Sequence, residues 1–455
     1  MEHRGSGRTA HHPVSPGRRG VRRHPALAIL AAALGVSLIA AACGSSSKSA
    51  STTGSSTTTG SSATTGSSAT SGSSATTGST SSQSTTVTVA VIDPLSGPLA
   101  TNGEESVAGA KAGAEYLNAG NAKAKNVHYV VTSRDSQATP TVDNALARQL
   151  TQQGIRYFIG DDLTSTGFAA EQPIFNQVNA LSFSSVPGVF PQGGIGTPYP
   201  GVYGDGGDDS HYVIPFIDYF QKQGVKKLGI LYANYQDVAI WGEQAGALAA
   251  KDGIPHSSEA VPLTASDVTA QLRSLQSSGA DSLLAYALTP TLAGAVAQGL
   301  DQIGWAPKVT GILGATSQVI AEMPASVQAG LISGPTATTF LSSSANAQPT
   351  GLTAAYFQYY APLAGETPGK FDSVASNGAY YFDAMLILDQ AIAMAGSTDP
   401  KAVQTALDSG TIFVGARGSY QYGPTNREGP LESDFSLYKL TAAGCPTGIC
   451  QQAGS

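Results

Sequence analysis

From Thr86 onward, short β-branched runs alternate with longer stretches whose apolar residues recur at helical spacing. The run VTVAVIDPLSGP, beginning at Val87, ends in Asp, Pro and Gly, the profile of a buried parallel strand feeding a turn. The following NGEESVAGAKAGAEYLNAG sets Val107, Ala110, Ala114 and Leu117 on one helical face, with acids in its first turn and Gly120 as a stop. The unit then recurs. NVHYVVTSRD is a strand and TPTVDNALARQLTQQG a helix; RYFIGDD and STGFAAEQPIFNQVN follow in the same order, then the strand ALSFSSV. A second series opens with the helix DDSHYVIPFIDYFQKQG, capped by Asp208, Asp209 or Ser210. It continues through the strands VKKLGILYAN, HSSEAVPL, DSLLAYAL and KVTGIL, separated by the helices SDVTAQLRSLQSSG and TPTLAGAVAQGLDQIGW. This alternation predicts an α/β fold of doubly wound parallel sheets covered on both faces. Roughly 360 residues of it exceed one comfortable core, so two lobes are expected, with chain crossings near 204–209, 333–340 and 409–415. The expected segments are 87–207 plus 334–409 for lobe 1, 208–333 plus 410–442 for lobe 2, and a tail over 443–455.

The first 86 residues break this pattern. Arg4, Arg8, Arg18, Arg19, Arg22 and Arg23 precede an Ala/Leu-rich segment from Pro25 to Ala42, the layout of an export signal over 1–42. Ala40, Ala41 and Ala42 before Cys43 resemble a bacterial lipobox, although Ala40 stands where that motif usually carries Leu. The resemblance implies a lipidated Cys43 at the mature N-terminus. A retained transmembrane helix is the alternative, since about 18 apolar residues are of marginal spanning length. The two arginine pairs leave Sec and twin-arginine export both open. Over 43–86 the chain is nearly all Ser, Thr, Gly and Ala, with glycine at 54, 60, 66, 72 and 78. Such a composition cannot offset the entropy of ordering and predicts a disordered tether, spanning about 35 Å on average and over about 100 Å when stretched.

Removing the signal leaves 18 basic against 30 acidic residues, a net charge of about −12, which disfavours nucleic acid and anionic membrane surfaces as partners. Cys445 and Cys450, in CPTGIC, are expected to pair outside the cytoplasm; two free thiols in a loose tail are the alternative.

The stretch VAVIDPLSGPLATNGEESVAGAKAGAEYLNA resembles the opening of the branched-chain amino-acid binding-protein family, the type I periplasmic binding proteins of ABC importers. DSQATPTVDNALARQL, GIRYFIGDDLTSTGFAAEQPIF, YYFDAMLILDQAIAMAGSTDPKAVQTALDSG and FVGARGSYQYGPTNREGP extend the resemblance in order, covering Val87 to Leu440. It implies two α/β lobes on a three-crossing hinge that close on a small solute, with the permease subunits of an importer as partners; with the lipobox it places the protein outside the cytoplasm, anchored to the cell membrane through Cys43. It implies a monomer with no cofactor and no metal.

Independently, loops at the carboxyl ends of strands and helix N-termini carry ligand contacts in open α/β sheets. Here those loops bear Ser96 and Gly97, Thr164, Ser165 and Thr166, and Ser184 and Ser185; each hydroxyl is equally explained as a helix cap or turn residue. The resemblance assigns the ligand carboxylate to Ser165 and Thr166, and further contacts to Ser184, Ser185 and the Val186 backbone. From the second lobe it points to Trp241 as an aromatic lid, with Tyr235 nearby; a core aromatic is the alternative for Trp241. Where amino-acid binders place an acid for the ammonium group, GILGATSQ supplies Ala315, Thr316 and Ser317, and the preceding tyrosine loop is replaced by ALTPT with Thr289. Because an unpaired buried ammonium is costly, either Asp237 answers it or the solute lacks that charge, which favours a neutral or carboxylate-bearing solute. An enzyme is not expected: His128, His211 and His256 are isolated, and no Gly-x-Ser-x-Gly elbow, His-Glu-x-x-His or phosphate loop is present. GDGGDDSH lacks the acid spacing of a calcium loop. A sensor reporting to a membrane receptor remains open beside the importer reading.

Overall fold

The computed structural model describes residues 84–160, 165–185, 200–206, 209–287, 289–344, 346–367, 371 and 376–454. The first β-branched run forms β1 (Thr85–Asp93). Val87, Val89 and Val91 enter one apolar cluster while Ala90 and Ile92 enter another, so both faces of the strand are covered and the run is continuous rather than alternating. After α1 (Ala100–Tyr116), β2 (Val127–Asp135) pairs parallel to β1 from Thr85 opposite Val127 to Asp93 opposite Asp135. Then α2 (Pro140–Gln152), β3 (Tyr157–Gly160), α3 (Ser165–Val178), β4 (Leu181–Ser184) and β5 (Val202–Gly204) complete a parallel sheet of order β2-β1-β3-β4-β5. The order reverses between β1 and β3, which opens a crevice at their carboxyl ends. Gly160 sits there at φ 143°, where a Cβ would press on the Ile92 carbonyl, so only glycine permits the approach.

The second half runs through α4 (Asp209–Lys222), β6 (Leu228–Ala233), α5 (Gln236–Lys251), β7 (His256–Val261), α6 (Thr269–Ser277), β8 (Ser282–Tyr286), α7 (Pro290–Ile303), β9 (Thr310–Leu313), α8 (Ser317–Glu322), α9 (Ala325–Gln328) and β10 (Leu331–Ala337). A two-residue strand, β11 (Leu341–Ser342), precedes α10 (Gly351–Leu363), α11 (Ser376–Ala395) and α12 (Pro400–Leu407). β12 (Ile412–Val414), β13 (Ser419–Gln421) and β14 (Gly429–Pro430) form a small antiparallel sheet of their own. β15 (Phe435–Lys439) and β16 (Cys450–Gln452) join the second sheet, whose order is β11-β16-β15-β10-β9-β8-β6-β7. α10 and α11 pack on α1, and α12 on α11, so these helices return to the first half. Among the described residues, no helix is long and apolar enough to cross a membrane; the apolar segment before Cys43 and the whole tether lie outside them.

The sheets put the chain's passages between the halves after β5, after β11 and before β15, and the last two lie later than the sequence expectation. β10 and β11 both pair within the second sheet, which moves the second crossing beyond 334. The segment 410–430 belongs with the first half because α11 holds it. The buried Asp383 carboxylate accepts from Ala416 N (2.6 Å), Arg417 N (2.9 Å) and Tyr420 Oη (2.7 Å). Gly204 N donates to the Arg427 carbonyl, Tyr422 Oη donates to the Gly204 carbonyl, and Arg427 pairs with Asp408 at 2.9 Å. The expected tail is likewise a strand: β16 lies between β15 and β11, and the Cys445–Cys450 disulfide closes the loop leading into it. Phe357 packs on that loop, and a Cβ on Gly448 would strike its ring.

Asp143 on α2 is fully buried with neither carboxyl oxygen hydrogen-bonded. Burial pushes its carboxyl up to about 7. An unfolded Asp ionises near pH 4, so this group removes stability as pH rises from about 4 to about 7. Asp143→Asn is expected to stabilise the fold by about 2 kcal/mol at pH 8, with the gain gone by pH 4; paired urea titrations at the two pH values check this.

Candidate functional site

The loops at the carboxyl ends of the first sheet hold several of the expected hydroxyls. Ser96 and Gly97 are exposed, Gly97 adopting φ 82° after β1. Burial pulls the Asp135 carboxyl upward, but hydrogen bonds from the Ser96 side chain and from the backbone N–H groups of Gln137, Leu95 and Ser96 hold it below the ordinary value. Ser96 thus braces the β1 and β2 ends against each other. Ser184 and Ser185 are buried at the end of β4, and Ser185 Oγ lies 3.4 Å from Tyr381 Oη. Ser165 and Thr166 open α3, whose N-terminus follows β3. Thr164, Val186 and the side chains of Ser165, Thr166 and Asp237 lie outside the described residues.

In the second half two of the expected contacts also cap helices. Thr289 Oγ1 accepts from Leu292 N at the start of α7, and Thr316 Oγ1 accepts from Val319 N at the start of α8. Each hydroxyl thus acts as an N-cap and keeps its O–H donor for another partner. Tyr235, half-buried, occupies the N-cap position of α5. Trp241 corrects a larger expectation. It is 1% exposed and packs among Phe216, Phe220, Ile230, Ala245 and Leu284 in the core of the second half, so it is not a lid. Gly242 beside it leaves no room for a Cβ against the Tyr232 ring, which draws this face of α5 onto the sheet.

What Trp241 supports is Tyr286, the last residue of β8, which it meets edge-on at 4.6 Å. From there a row of aromatic and polar groups crosses between the halves. Tyr212 of α4 and Tyr380 of α11 bring their phenol oxygens to 2.5 Å, and Tyr212 Oη also donates to the Gly206 carbonyl at 3.1 Å. Burial, and then Tyr380, raises the Tyr212 phenol well above its usual value, with Tyr286 adding to the effect. Arg417 stacks 3.6 Å over the Tyr380 ring and 5.9 Å from Phe435 of β15, which His211 covers in a near-parallel stack at 5.2 Å. Behind them, burial pushes the Asp383 carboxyl up to about 6 despite the Tyr420, Arg417 and Ala416 hydrogen bonds that pull it down.

A parallel sheet and a mixed sheet joined by three short crossings, with polar groups gathered at that junction, is an arrangement that can enclose a small molecule. A family model described as periplasmic binding protein matches residues 86–445. The chain belongs to the periplasmic binding protein family. Solved structures share the fold at low identity: a type 1 periplasmic binding protein from Bordetella pertussis Tohama I (19% identity, TM-score 0.65, covering 78% of this chain and 97% of that one). A solute-binding protein of an ABC transporter from R. palustris, solved with 4-hydroxybenzoate, matches at 16% identity and TM-score 0.61 over 78% and 93% of the two chains. The leucine-binding protein LivK from Thermotoga maritima matches at 17% identity and TM-score 0.62 over 78% and 96%. Comparison with curated protein sequences gave no match.

In this periplasmic binding protein the junction residues Tyr212, Tyr286, Tyr380, Tyr381 and Arg417 escape a reading based on strand-end hydroxyls. A signal for them exists nonetheless. Asp383 and Asp389 interrupt an otherwise apolar helix, and a buried acid requires partners from elsewhere in the chain. Asp389 finds Tyr129 Oη and the N–H of Lys123 and Ala124; Asp383 finds the turn that carries Arg417.

Proposed function

We propose that this protein is an extracytoplasmic solute-binding lipoprotein that captures a small solute between its halves and delivers it to an ABC importer. The observation that carries the reading is the Tyr212–Tyr380 hydrogen bond between α4 and α11, which links the halves beside the strand ends. A solute that touches both halves only when they are closed biases an open–closed equilibrium, and moving it from 1:99 to 99:1 requires about 5.5 kcal/mol of differential affinity. Cys43 is the lipid attachment point, and the Ser/Thr/Gly tract lets the binding unit reach a permease. Ser165, Thr166, Ser184, Ser185 and the Val186 backbone contribute from the first half, Tyr235, Asp237 and Tyr286 from the second. Structural neighbours solved with 4-hydroxybenzoate and 3,4-dihydroxybenzoic acid support a flat, carboxylate-bearing solute, as does the tyrosine-lined junction. The absence of an acid among Ala315, Thr316 and Ser317 argues against an α-amino acid.

The test is ligand-dependent melting of the protein from Thr86 onward. A cognate solute at a hundredfold excess over its Kd is expected to add about 2.7 kcal/mol of stability. A panel of amino acids, amides, aromatic acids and small sugars that leaves melting unchanged, together with a purified protein carrying no small molecule by mass spectrometry, rejects the reading.

A further inference from the structure

Neither Nη1 nor Nη2 of Arg417 has a hydrogen-bond acceptor, and the residue is 3% exposed. Buried polar groups without partners are uncommon because each forfeits its hydration, and a guanidinium presents its donors as a planar fork matched to a carboxylate. Among the described residues, its neighbours offer no such acceptor. Tyr380 and Phe435 present ring faces. The Asp383 oxygens are taken by Ala416 N, Arg417 N and Tyr420 Oη. Among the described residues no acid side chain forms an ion pair with Arg417; Asp434 only lines a cavity of about 10 Å³ beside it, together with Ser419, Tyr420 and Pro430. That space holds one water at most.

We infer that Arg417 is the anion-recognising group of the site, holding the carboxylate of the captured solute where the two halves meet. The inference rests on the solute-capture reading and names its substrate class, a small carboxylate with no ammonium partner. The stack on Tyr380 fixes the guanidinium to the first half, while Phe435 and Tyr212 belong to the second, so an anion at the fork contacts both. The cavity on the Asp434 side is too small for a carboxyl group. On this inference the solute reaches Arg417 from the Tyr212 side, where the Tyr212–Tyr380 hydrogen bond joins the halves.

Matched acids and amides test this: benzoate with benzamide, 4-hydroxybenzoate with 4-hydroxybenzamide, and isovalerate with isovaleramide, titrated by calorimetry and melting into wild type, Arg417→Met and Arg417→Lys. At least one acid is expected to bind the wild type with its amide at least about tenfold weaker, a charged hydrogen-bonded pair being at stake. Arg417→Met keeps the stem on Tyr380 and is expected to abolish the preference for acid over amide. Arg417→Lys keeps the charge without the fork and is expected to retain part of it, and it serves as the test if the Met variant does not fold. Acid binding that survives both substitutions, or equal loss of acid and amide, overturns the role of Arg417 while leaving solute capture intact. A panel in which no compound, acid or amide, shifts the wild-type protein rejects solute capture, and the inference falls with it.

Discussion

Trp241→Ala is expected to destabilise the ligand-free protein by about 3–5 kcal/mol, because it empties a fully buried site rather than trimming a lid. The indole fills the space between α4, α5 and the face of β6 and β8, against Phe216, Phe220, Ile230 and Leu284. A cavity of that size collapses only in part, and the edge-on contact with Tyr286 disappears with it. Melting is expected to fall by about 5–10 °C. Trp241→Phe retains much of the volume and is expected to lose less than half as much, leaving Trp305, also buried, as the fluorophore reporting unfolding. Unchanged melting in the alanine variant contradicts the packing assigned here.

Asp383→Ala is expected to cost about 3–5 kcal/mol by a different route. Three buried donors, Ala416 N, Arg417 N and Tyr420 Oη, lose their acceptor together, and the Arg417 charge loses the attraction of a buried acid. The damage is expected to be local in origin. Hydrogen exchange across 412–421 is expected to accelerate well before the strands of either large sheet do, since the carboxylate fastens that segment to α11. Urea unfolding gives the magnitude and exchange gives the location; slow exchange across 412–421 in the variant contradicts the anchoring role.

Much of the fold is legible in the sequence because its strands are covered on both faces. Runs such as Val87–Ile92 and Leu228–Ala233 need no partner information to be recognised, and α7, α8 and α12 carry side-chain caps, with Gly304 ending α7. The crossings are harder. β12, β13 and β14 are two or three residues each, too short for a period, and what binds them to the first half lies elsewhere in sequence: the Asp383 carboxylate more than thirty residues upstream, Gly204 and Asp408. β16 hides in a Cys/Gln stretch whose strand character comes from its neighbours. At the site, the hydroxyls of Thr289 and Thr316 show the ambiguity of such residues at strand ends, where the same side chain that suits a ligand also caps a helix. Trp241 is ambiguous in the same way, since an aromatic before a glycine on an amphipathic helix reads alike whether it faces outward or inward. Tyr212, Tyr380 and Arg417 come from segments separated by up to about 200 residues, and only the assembled junction makes them neighbours.

The placement of β16 has a practical side. It is the strand that satisfies the outer backbone groups of β15 at Tyr438 and Lys439, and the disulfide just before it holds it in position. A chain ending before Cys445 presents β15 as a bare border, open to pairing with another copy. Clumping of such a truncated product, rather than a simple fall in affinity, is the expected defect, so a purification tag on this protein belongs after Ser455 and not in place of the last eleven residues.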